Sequence, residues 1–129
     1  MSTTASSAVG RAKAHIEAWS NHDWDKARQA LAEDVRVQTN TTQPIKHADD
    51  TTGIDAYMQG LHAFADSVVA GSARIEASAG DDQTAMVLVT VKADFPGRGQ
   101  VDLHAARQYA FDDDGKIKHE QVIFFVTQP

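Results

Sequence analysis

The second half of the sequence alternates between apolar and polar residues, and this change of period constrains the fold most. Four alternating runs follow one another, "ARIEASA", "TAMVLVTVKADF", "VDLHAARQYAF" and "GKIKHEQVIFFV". Turn residues separate them at Gly80-Asp81-Asp82, Pro96-Gly97 and Asp113-Asp114-Gly115. A period of two is typical of strands with one buried face, so the pattern predicts four antiparallel strands joined as a meander.

The first thirty residues have helical spacing instead. Apolar residues recur every three or four positions at Ala8, Ala12, Ile16 and Trp19. This spacing predicts a first helix that ends near Asn21-His22. Asp23 is suited to cap a second helix. The apolar stripe of that second helix is expected to be Trp24, Ala27 and Leu31.

A strand and a third helix are predicted between this helical pair and the meander. The segment "VRVQTNT" has a period of two, with Val35, Val37 and Thr39 on one face. A polar loop, "TQPIKHADDTT", follows it, and Thr51 or Thr52 can cap the next helix. The apolar face of that helix comprises Ile54, Tyr57, Met58, Leu61, Phe64, Ala65 and Val68.

The predicted order of elements is therefore α-α-β-α-β-β-β-β. Strands grouped apart from helices indicate an α+β domain with its helices on one face of an antiparallel sheet. We expect a cone-like, curved antiparallel sheet with the three N-terminal helices packed on its concave face, so that the mouth of the cone can hold a ligand. A chain of 129 residues favours one domain, here residues 8–129 after a flexible N-terminus at 1–7.

Composition and motifs exclude several classes of function. A net charge of −6 without a basic run argues against binding to nucleic acid. The absence of cysteine excludes disulfides and thiolate chemistry. The six histidines have no HxH or HExxH spacing, so no metal is expected, and no glycine loop or nucleophile elbow indicates a cofactor. The N-terminus lacks a secretory h-region and no run reaches the ~18 apolar residues of a membrane span, so we expect a cytoplasmic protein.

Three segments carry a resemblance to a known family. They are "AWSNHDWDKARQALAEDVRV" (Ala18 to Val37), Gly53 at the start of the third helix, and "YAFDDDGKIKHEQVIFF" (Tyr109 to Phe125). In this order they resemble the nuclear transport factor 2-like superfamily, particularly its SnoaL-like members. The resemblance implies a pocket for a small, mostly apolar organic molecule. The superfamily includes ketosteroid isomerase, scytalone dehydratase, limonene epoxide hydrolase and polyketide cyclases, so the fold alone does not fix a reaction.

The last hairpin predicts which residues share the pocket face. A two-residue type I′ turn at Asp114-Gly115 would place Tyr109 opposite Glu120 and Arg107 opposite Val122. A four-residue loop would place Arg107 opposite Glu120 instead. Both registers put Arg107, Tyr109, Glu120, Val122 and Phe124 on one face, whereas a three-residue loop would break this arrangement.

The known mechanisms of the superfamily do not carry over to these positions. By resemblance, the oxyanion-binding aspartate of ketosteroid isomerase corresponds to Arg107, its helix tyrosine to His15, and its general base falls at or next to Thr39. The acid/base aspartate of the SnoaL-like cyclases corresponds to Val122. Each residue differs from the one that the mechanism requires.

A different set of residues is therefore the candidate catalytic site. Glu120 would act as general base, Arg107 and Tyr109 as polarising donors, and His15 as a second proton carrier. Such a site would catalyse isomerisation, cyclisation, dehydration or epoxide hydrolysis without a cofactor. The expected ligand-binding residues are Trp19, Thr39, Tyr57, Met58, Leu61, Val122 and Phe124.

Two other interpretations remain open. Arg107 and Glu120 can form a structural ion pair and neutralise each other, which would leave a non-catalytic binding protein. Alternatively, the pocket can be filled by its own side chains in a dimeric interaction module. The opposite sheet face carries polar residues, and by resemblance it would meet a second subunit in a homodimer. These residues are His104, Gln108, His119 and Gln121.

Overall fold

The computed structural model describes residues 7–40, 50–95, 97 and 99–125. Three helices and six strands make up the fold. The helices are α1 (Ala8–Ser20), α2 (Trp24–Gln29) and α3 (Ile54–Ala65). The strands are β1 (Leu31–Asn40), β2 (Asp50–Thr52), β3 (Arg74–Gly80), β4 (Thr84–Phe95), β5 (Gly99–Phe111) and β6 (Ile117–Phe125). Residues 1–6 of the predicted flexible N-terminus and most of the predicted polar loop lie outside the described residues.

The first helical pair follows the sequence pattern except at its end. Asp23 caps α2, and its side chain accepts from the Lys26 amide at 3.3 Å. The prediction that Leu31 lies on this helix is wrong, because α2 ends at Gln29 and Leu31 begins β1. The Ala30 carbonyl accepts from the Ile117 amide at 2.8 Å, so the chain joins the sheet directly after the helix.

The six strands form one mixed sheet in the order β2-β1-β6-β5-β4-β3. The predicted meander is confirmed for β3 to β6, whose neighbours pair antiparallel. The prediction of a wholly antiparallel sheet is wrong, because β1 lies parallel to β6. The predicted order of elements also lacks β2, a strand of three residues that pairs with β1. The sheet is open, with β2 and β3 at its two edges.

The β5–β6 hairpin reaches the first of the two predicted registers, and not the one with Arg107 opposite Glu120, through a turn of different length. The Asp112 amide donates to the Lys116 carbonyl at 2.8 Å, which leaves a three-residue loop rather than a type I′ turn. Gly115 has a φ of 77°, a conformation that glycine adopts without strain. The register then shifts between Phe111 and Ala110, and this irregularity restores the pairs Tyr109–Glu120 and Arg107–Val122. A three-residue loop therefore does not break the shared face.

The third helix begins later than its predicted caps. Gly53 occupies the N-cap position with a φ of 106° and provides no side-chain cap. Thr51 and Thr52 belong to β2 instead, so the prediction that one of them caps α3 is wrong. Val68, predicted on the apolar face of the helix, lies beyond its end and forms an isolated bridge with Ala93.

Helices α1 and α3 place their buried side chains against one face of the sheet, which we call the inner face. It is the face that carries Val87, Arg107, Tyr109, Glu120 and Val122. Helix α1 contacts β3, β4 and β5, and α3 contacts β1 and β2. The architecture is thus α+β, and the cone shape and the packing of all three helices on a concave face remain predictions. Within the described part of the chain, no helix is long and apolar enough to cross a membrane.

Candidate functional site

The four predicted catalytic residues come together on the inner face. His15 projects from α1, Arg107 and Tyr109 from β5, and Glu120 from β6. All four are buried, with relative exposures between 0% and 5%. Pairing of β5 with β6 places Tyr109 beside Glu120, while the α1 helix brings the His15 ring to 6.1 Å from that of Tyr109. The fold thus assembles the set that the sequence singled out.

Arg107 and Glu120 form a buried ion pair. Arg107 Nη1 lies 2.9 Å from Glu120 Oε2, and the two side chains are only 6% and 2% exposed. Burial acts to lower the pKa of Arg107, but Tyr109, Glu120 and Tyr57 outweigh it and raise the pKa above its ordinary value. Arg107 is therefore a permanent cation whose charge Glu120 balances.

Three aromatic rings surround the Arg107 guanidinium. Its Cζ lies 5.0 Å from the Trp19 ring centroid, 5.6 Å from Phe64 and 5.9 Å from Phe124. These distances allow cation–π attraction to each ring. Trp19 is fully buried, whereas Phe64 and Phe124 are half-buried. The buried guanidinium thus lies beneath two rings that are themselves partly exposed.

Tyr57 links the histidine to the carboxylate. Its hydroxyl donates to Glu120 Oε1 and lies 3.0 Å from His15 Nε2. Since the single hydroxyl proton goes to Glu120, Nε2 of His15 must donate to the Tyr57 oxygen, which fixes the tautomer. Burial and the neighbouring Glu120 charge raise the pKa of Tyr57 well above 10, so the phenol stays protonated.

Burial keeps His15 neutral. Burial lowers the pKa of His15 from 6.5 to about 4. The negative charge of Glu120 opposes this shift, whereas the positive charge of Arg107 adds to it. At pH 7 the ring therefore carries no charge. The cluster as a whole contains one cation, one anion, a neutral imidazole and two phenols, because burial also raises the pKa of Tyr109 well above 10.

Four buried polar atoms in this cluster have no hydrogen-bond partner among the described residues. They are His15 Nδ1, Trp19 Nε1, Arg107 Nε and the Tyr109 hydroxyl. An unsatisfied buried donor or acceptor costs about 1–3 kcal/mol. Trp19, Arg107 and Tyr109 each present a donor, and Trp19 and Tyr109 both lie next to the Arg107 side chain. The arrangement can thus receive an acceptor oxygen.

The predicted ligand-binding residues lie in the hydrophobic core or at its edge, and their role stays a prediction. Trp19, Tyr57, Leu61 and Val122 are buried, while Thr39, Met58 and Phe124 are half-buried. Thr39 on β1 pairs with Val122 on β6. Tyr57 was expected only as part of the apolar wall, and its central position in the hydrogen-bond chain was missed, as was Phe64 beside the cation. Helical spacing places Tyr57 inward, but no spacing signal identifies the partner of its hydroxyl.

Chemically, the cluster can hold a proton and bind an oxygen. A hydrogen-bonded chain runs from His15 through Tyr57 to Glu120 and then to Arg107. Each oxygen of Glu120 takes one of these bonds, and a carboxylate oxygen can accept two. No trio of His, Asp or Glu side chains in the described ranges comes together as a metal site would require.

Comparison with known proteins supports the fold independently. The model of the SnoaL-like domain matches residues 12–120. A protein from Kribbella flavida superposes with a TM-score of 0.74 at 20% identity over 95% of this chain and 88% of its own. An LEH-like epoxide hydrolase from M. tuberculosis superposes with a TM-score of 0.69 at 19% identity over 92% of this chain and 82% of its own. A nuclear transport factor 2-like protein from Cytophaga hutchinsonii superposes with a TM-score of 0.70 at 14% identity over 97% of this chain and 95% of its own. Comparison with curated protein sequences returns no match.

Proposed function

The chain belongs to the SnoaL-like domain family, and we propose that it binds a small, mostly apolar organic molecule with an acceptor oxygen on the inner face of its sheet. Structures with this fold include two proteins named as SnoaL-like polyketide cyclases, one named as a ketosteroid isomerase and one named as an epoxide hydrolase. Their names point to organic substrates with carbonyl or epoxide oxygens. The fold alone does not choose among such ligands, so the proposal is argued from the site.

The unpartnered donors around Arg107 carry this proposal. Trp19 Nε1, Arg107 Nε and the Tyr109 hydroxyl all donate, and all are buried without a partner in the described part of the chain. A carbonyl, epoxide or carboxylate oxygen would satisfy one or more of them. Hydrogen bonds from a charged donor are stronger than neutral ones, so Arg107 would contribute most to oxygen binding.

The apolar part of the ligand would contact the surrounding hydrophobic wall. Leu61 and Val122 are buried, and Met58, Phe64 and Phe124 are half-buried. The Phe64 and Phe124 rings lie 5.6 Å apart and both contact the guanidinium. Because these two rings also reach solvent, we propose that the ligand enters between them. An apolar wall with a few fixed polar groups is typical of small-molecule sites.

A ketone and a hydrocarbon of the same shape test this function. We expect trans-2-decalone to raise the melting temperature, since a ligand at 100 times its Kd adds about 2.7 kcal/mol to stability. Decalin should bind more weakly because it has no acceptor oxygen. Substitution Tyr109→Phe should weaken decalone binding about 10-fold, the effect of losing one buried hydrogen bond, and leave decalin binding unchanged. Thermal denaturation with isothermal titration calorimetry measures each affinity.

Tyr109→Phe suits this test because it removes only the hydroxyl, which makes no hydrogen bond of good geometry among the described residues although Glu120 and Arg107 lie near it, and it keeps the ring. Equal affinity for both probes, or none for either, would contradict the proposed oxygen site. If Tyr109→Phe lost affinity equally for decalone and for decalin, the substitution would have altered the apolar wall and not the oxygen site.

A second candidate function is acid/base catalysis on the bound molecule. The observation that favours it is the hydrogen-bond chain from His15 through Tyr57 to Glu120. Glu120 would remove a proton, Arg107 and Tyr109 would stabilise the resulting oxyanion, and His15 would exchange protons through Tyr57. Isomerisation, cyclisation, dehydration and epoxide hydrolysis all fit this scheme. The ion pair argues against catalysis, because Arg107 already binds the Glu120 carboxylate that would act as the base.

Proton exchange on decalone separates catalysis from binding. In D₂O, removal of a proton α to the carbonyl by Glu120 leaves an enolate at the donor cluster, and return of a deuteron labels the carbon. If Glu120 is the base, Glu120→Gln should reduce enzyme-dependent exchange by at least about 100-fold, the usual contribution of a general base. Exchange followed by ¹H NMR at saturating decalone is the measurement. An unchanged rate in Glu120→Gln would leave binding as the function.

We also propose that the chain acts as a cytoplasmic homodimer through the outer face of the sheet. Met86, Leu88 and Ile123 are 52%, 36% and 45% exposed on that face. Leu88 and Ile123 both flank Ala106 on neighbouring strands. On the same face His104 bonds Thr90 at 2.9 Å, and His119 bonds Gln38 at 2.9 Å. Exposed apolar side chains beside satisfied polar ones suit a protein interface.

A further inference from the structure

A cleft of about 260 Å³ lies beside His15, and Tyr57 is not among the residues that line it. It is an open cleft whose lining residues come from α1, from α2 and the residue after it, and from the β5–β6 hairpin. The residues that line it are Arg11, Ala14, His15, Lys26, Gln29, Ala30, Phe111, Asp114, Gly115 and Lys116. Water occupies about 30 Å³ per molecule in the liquid, so the cleft has room for a small ion with part of its hydration shell.

Positive charge dominates the cleft although the protein carries a net charge of −6. Arg11, Lys26 and Lys116 line it, against the single carboxylate of Asp114. None of the three cations is ion-paired within the described ranges. Three cations facing one acid in an acidic protein form a local site for negative charge.

Two of these cations are held in place by the backbone. The Arg11 guanidinium lies against Gly115, where an added Cβ would come within 2.7 Å of Cζ. Lys116 Nζ donates to the Gln29 carbonyl at 2.7 Å. Because both groups are already positioned, little side-chain entropy would be lost when an anion binds.

One buried polar side chain, that of His15, is among the residues that line the cleft. His15 lines the cleft and is 1% exposed, and its Nδ1 has no hydrogen-bond partner among the described residues. Its other nitrogen, Nε2, is engaged with Tyr57 at 3.0 Å. The Ala27 backbone also acts on the ring to raise its pKa, so the three cations, and not Nδ1, form the anion site.

We propose that this cleft binds a small oxyanion, a phosphate or a carboxylate, through Arg11 and Lys26 with Lys116 at its edge. Arg11 offers the planar pair of donors that matches such oxygens, and lysine supplies a point charge. The site does not depend on the proposed function of the inner face, because it is formed by other side chains. His15 is the residue that both sites share.

Titration with inorganic phosphate and, separately, acetate tests the site. Amide resonances of ¹⁵N-labelled protein are followed at pH 7 and at ionic strength held constant with chloride. We expect saturable shifts at Ala30, Gly115 and Lys116 with at least one of the two anions. Arg11→Gln and Lys26→Gln should each weaken that binding at least about 10-fold, because each removes a charge-assisted contact.

Lys13→Gln is the matched control, since it removes one positive charge from the same helix outside the cleft and should leave the affinity unchanged. Saturation with phosphate alone or with acetate alone assigns the chemical class. Shifts that stay linear with both anions would overturn the proposal. An equal loss of anion affinity in Lys13→Gln would also overturn the proposal, because the anion would then be attracted to the charge of the whole helix and not to the cleft.

Discussion

Replacing Arg107 with methionine is expected to lower the free energy of unfolding by about 3 to 5 kcal/mol. Methionine keeps the length and apolar contacts of the side chain but leaves Glu120 without its cation, 1% exposed and far from water. Breaking one partner of a buried pair costs more than the pair itself contributes, because the remaining charge is not solvated. Urea denaturation followed by circular dichroism measures the loss.

A double-mutant cycle isolates the ion pair from the other contacts of Arg107. Arg107→Met combined with Glu120→Gln removes both charges and keeps an acceptor for the Tyr57 hydroxyl. We expect this double variant to be more stable than Arg107→Met alone. If the losses of the two single variants simply add, the pair is not energetically coupled.

The exposed pair of Lys92 and Asp102 provides a comparison, since its side chains are 51% and 47% exposed. Lys92→Met should cost no more than about 1 kcal/mol, because water solvates the remaining carboxylate. A loss from Lys92→Met as large as that from Arg107→Met would mean that burial is not the cause.

Local patterns predicted the elements well and the long-range pairing poorly. The alternation that predicts β4 and β5 depends only on neighbouring residues, and both strands lie where the pattern places them. The parallel pairing of β1 with β6 joins segments about 80 residues apart, and no periodicity within either strand encodes it. Strand β2 has three residues, which is too short for a period of two to be visible.

The helix and turn errors have equally local causes. Leu31 continues the apolar spacing of α2, but the hydrogen bond between Ala30 and Ile117 draws the chain into the sheet at that point. The turn at Gly115 was predicted with two or four residues and has three, yet the shared face of Arg107 and Glu120 is correct because an irregularity after the turn compensates. Burial of one face selects the register more strongly than the turn does.

The candidate site was predictable as a set of residues and not as a network. Alternation along β5 and β6 is sufficient to place Arg107, Tyr109 and Glu120 together. Tyr57 enters the network from α3, and which inward side chain its hydroxyl reaches depends on how the helix docks on the sheet. The contact of His15 with Tyr57 depends on the docking of two helices at once. Sequence periodicity carries no information on how α3 docks on the sheet or on how α1 docks beside α3.

The stability of the protein is expected to fall as the pH drops from 6.5 to about 4, and His15 should account for about 3 kcal/mol of the loss. Burial lowers the pKa of His15 from 6.5 to about 4. In this interval the unfolded chain takes up a proton on His15 whereas the folded chain does not. The stability from this group is thus complete above pH 6.5 and is lost progressively towards pH 4.

The substitution His15→Gln separates this contribution from the carboxylates that titrate in the same range. The groups that face His15 in the fold, Tyr57, Tyr109, Arg107 and Glu120, stay in place, and glutamine can still donate to the Tyr57 oxygen. Urea unfolding at intervals from pH 7 to pH 4 should show a smaller decline in His15→Gln than in the unmodified protein, by about 3 kcal/mol at the acid end. His62→Gln, which changes an exposed histidine, controls for the substitution itself. Parallel declines in the unmodified protein and in His15→Gln would show that the buried histidine does not resist protonation, and Tyr57 would then lie against an imidazolium.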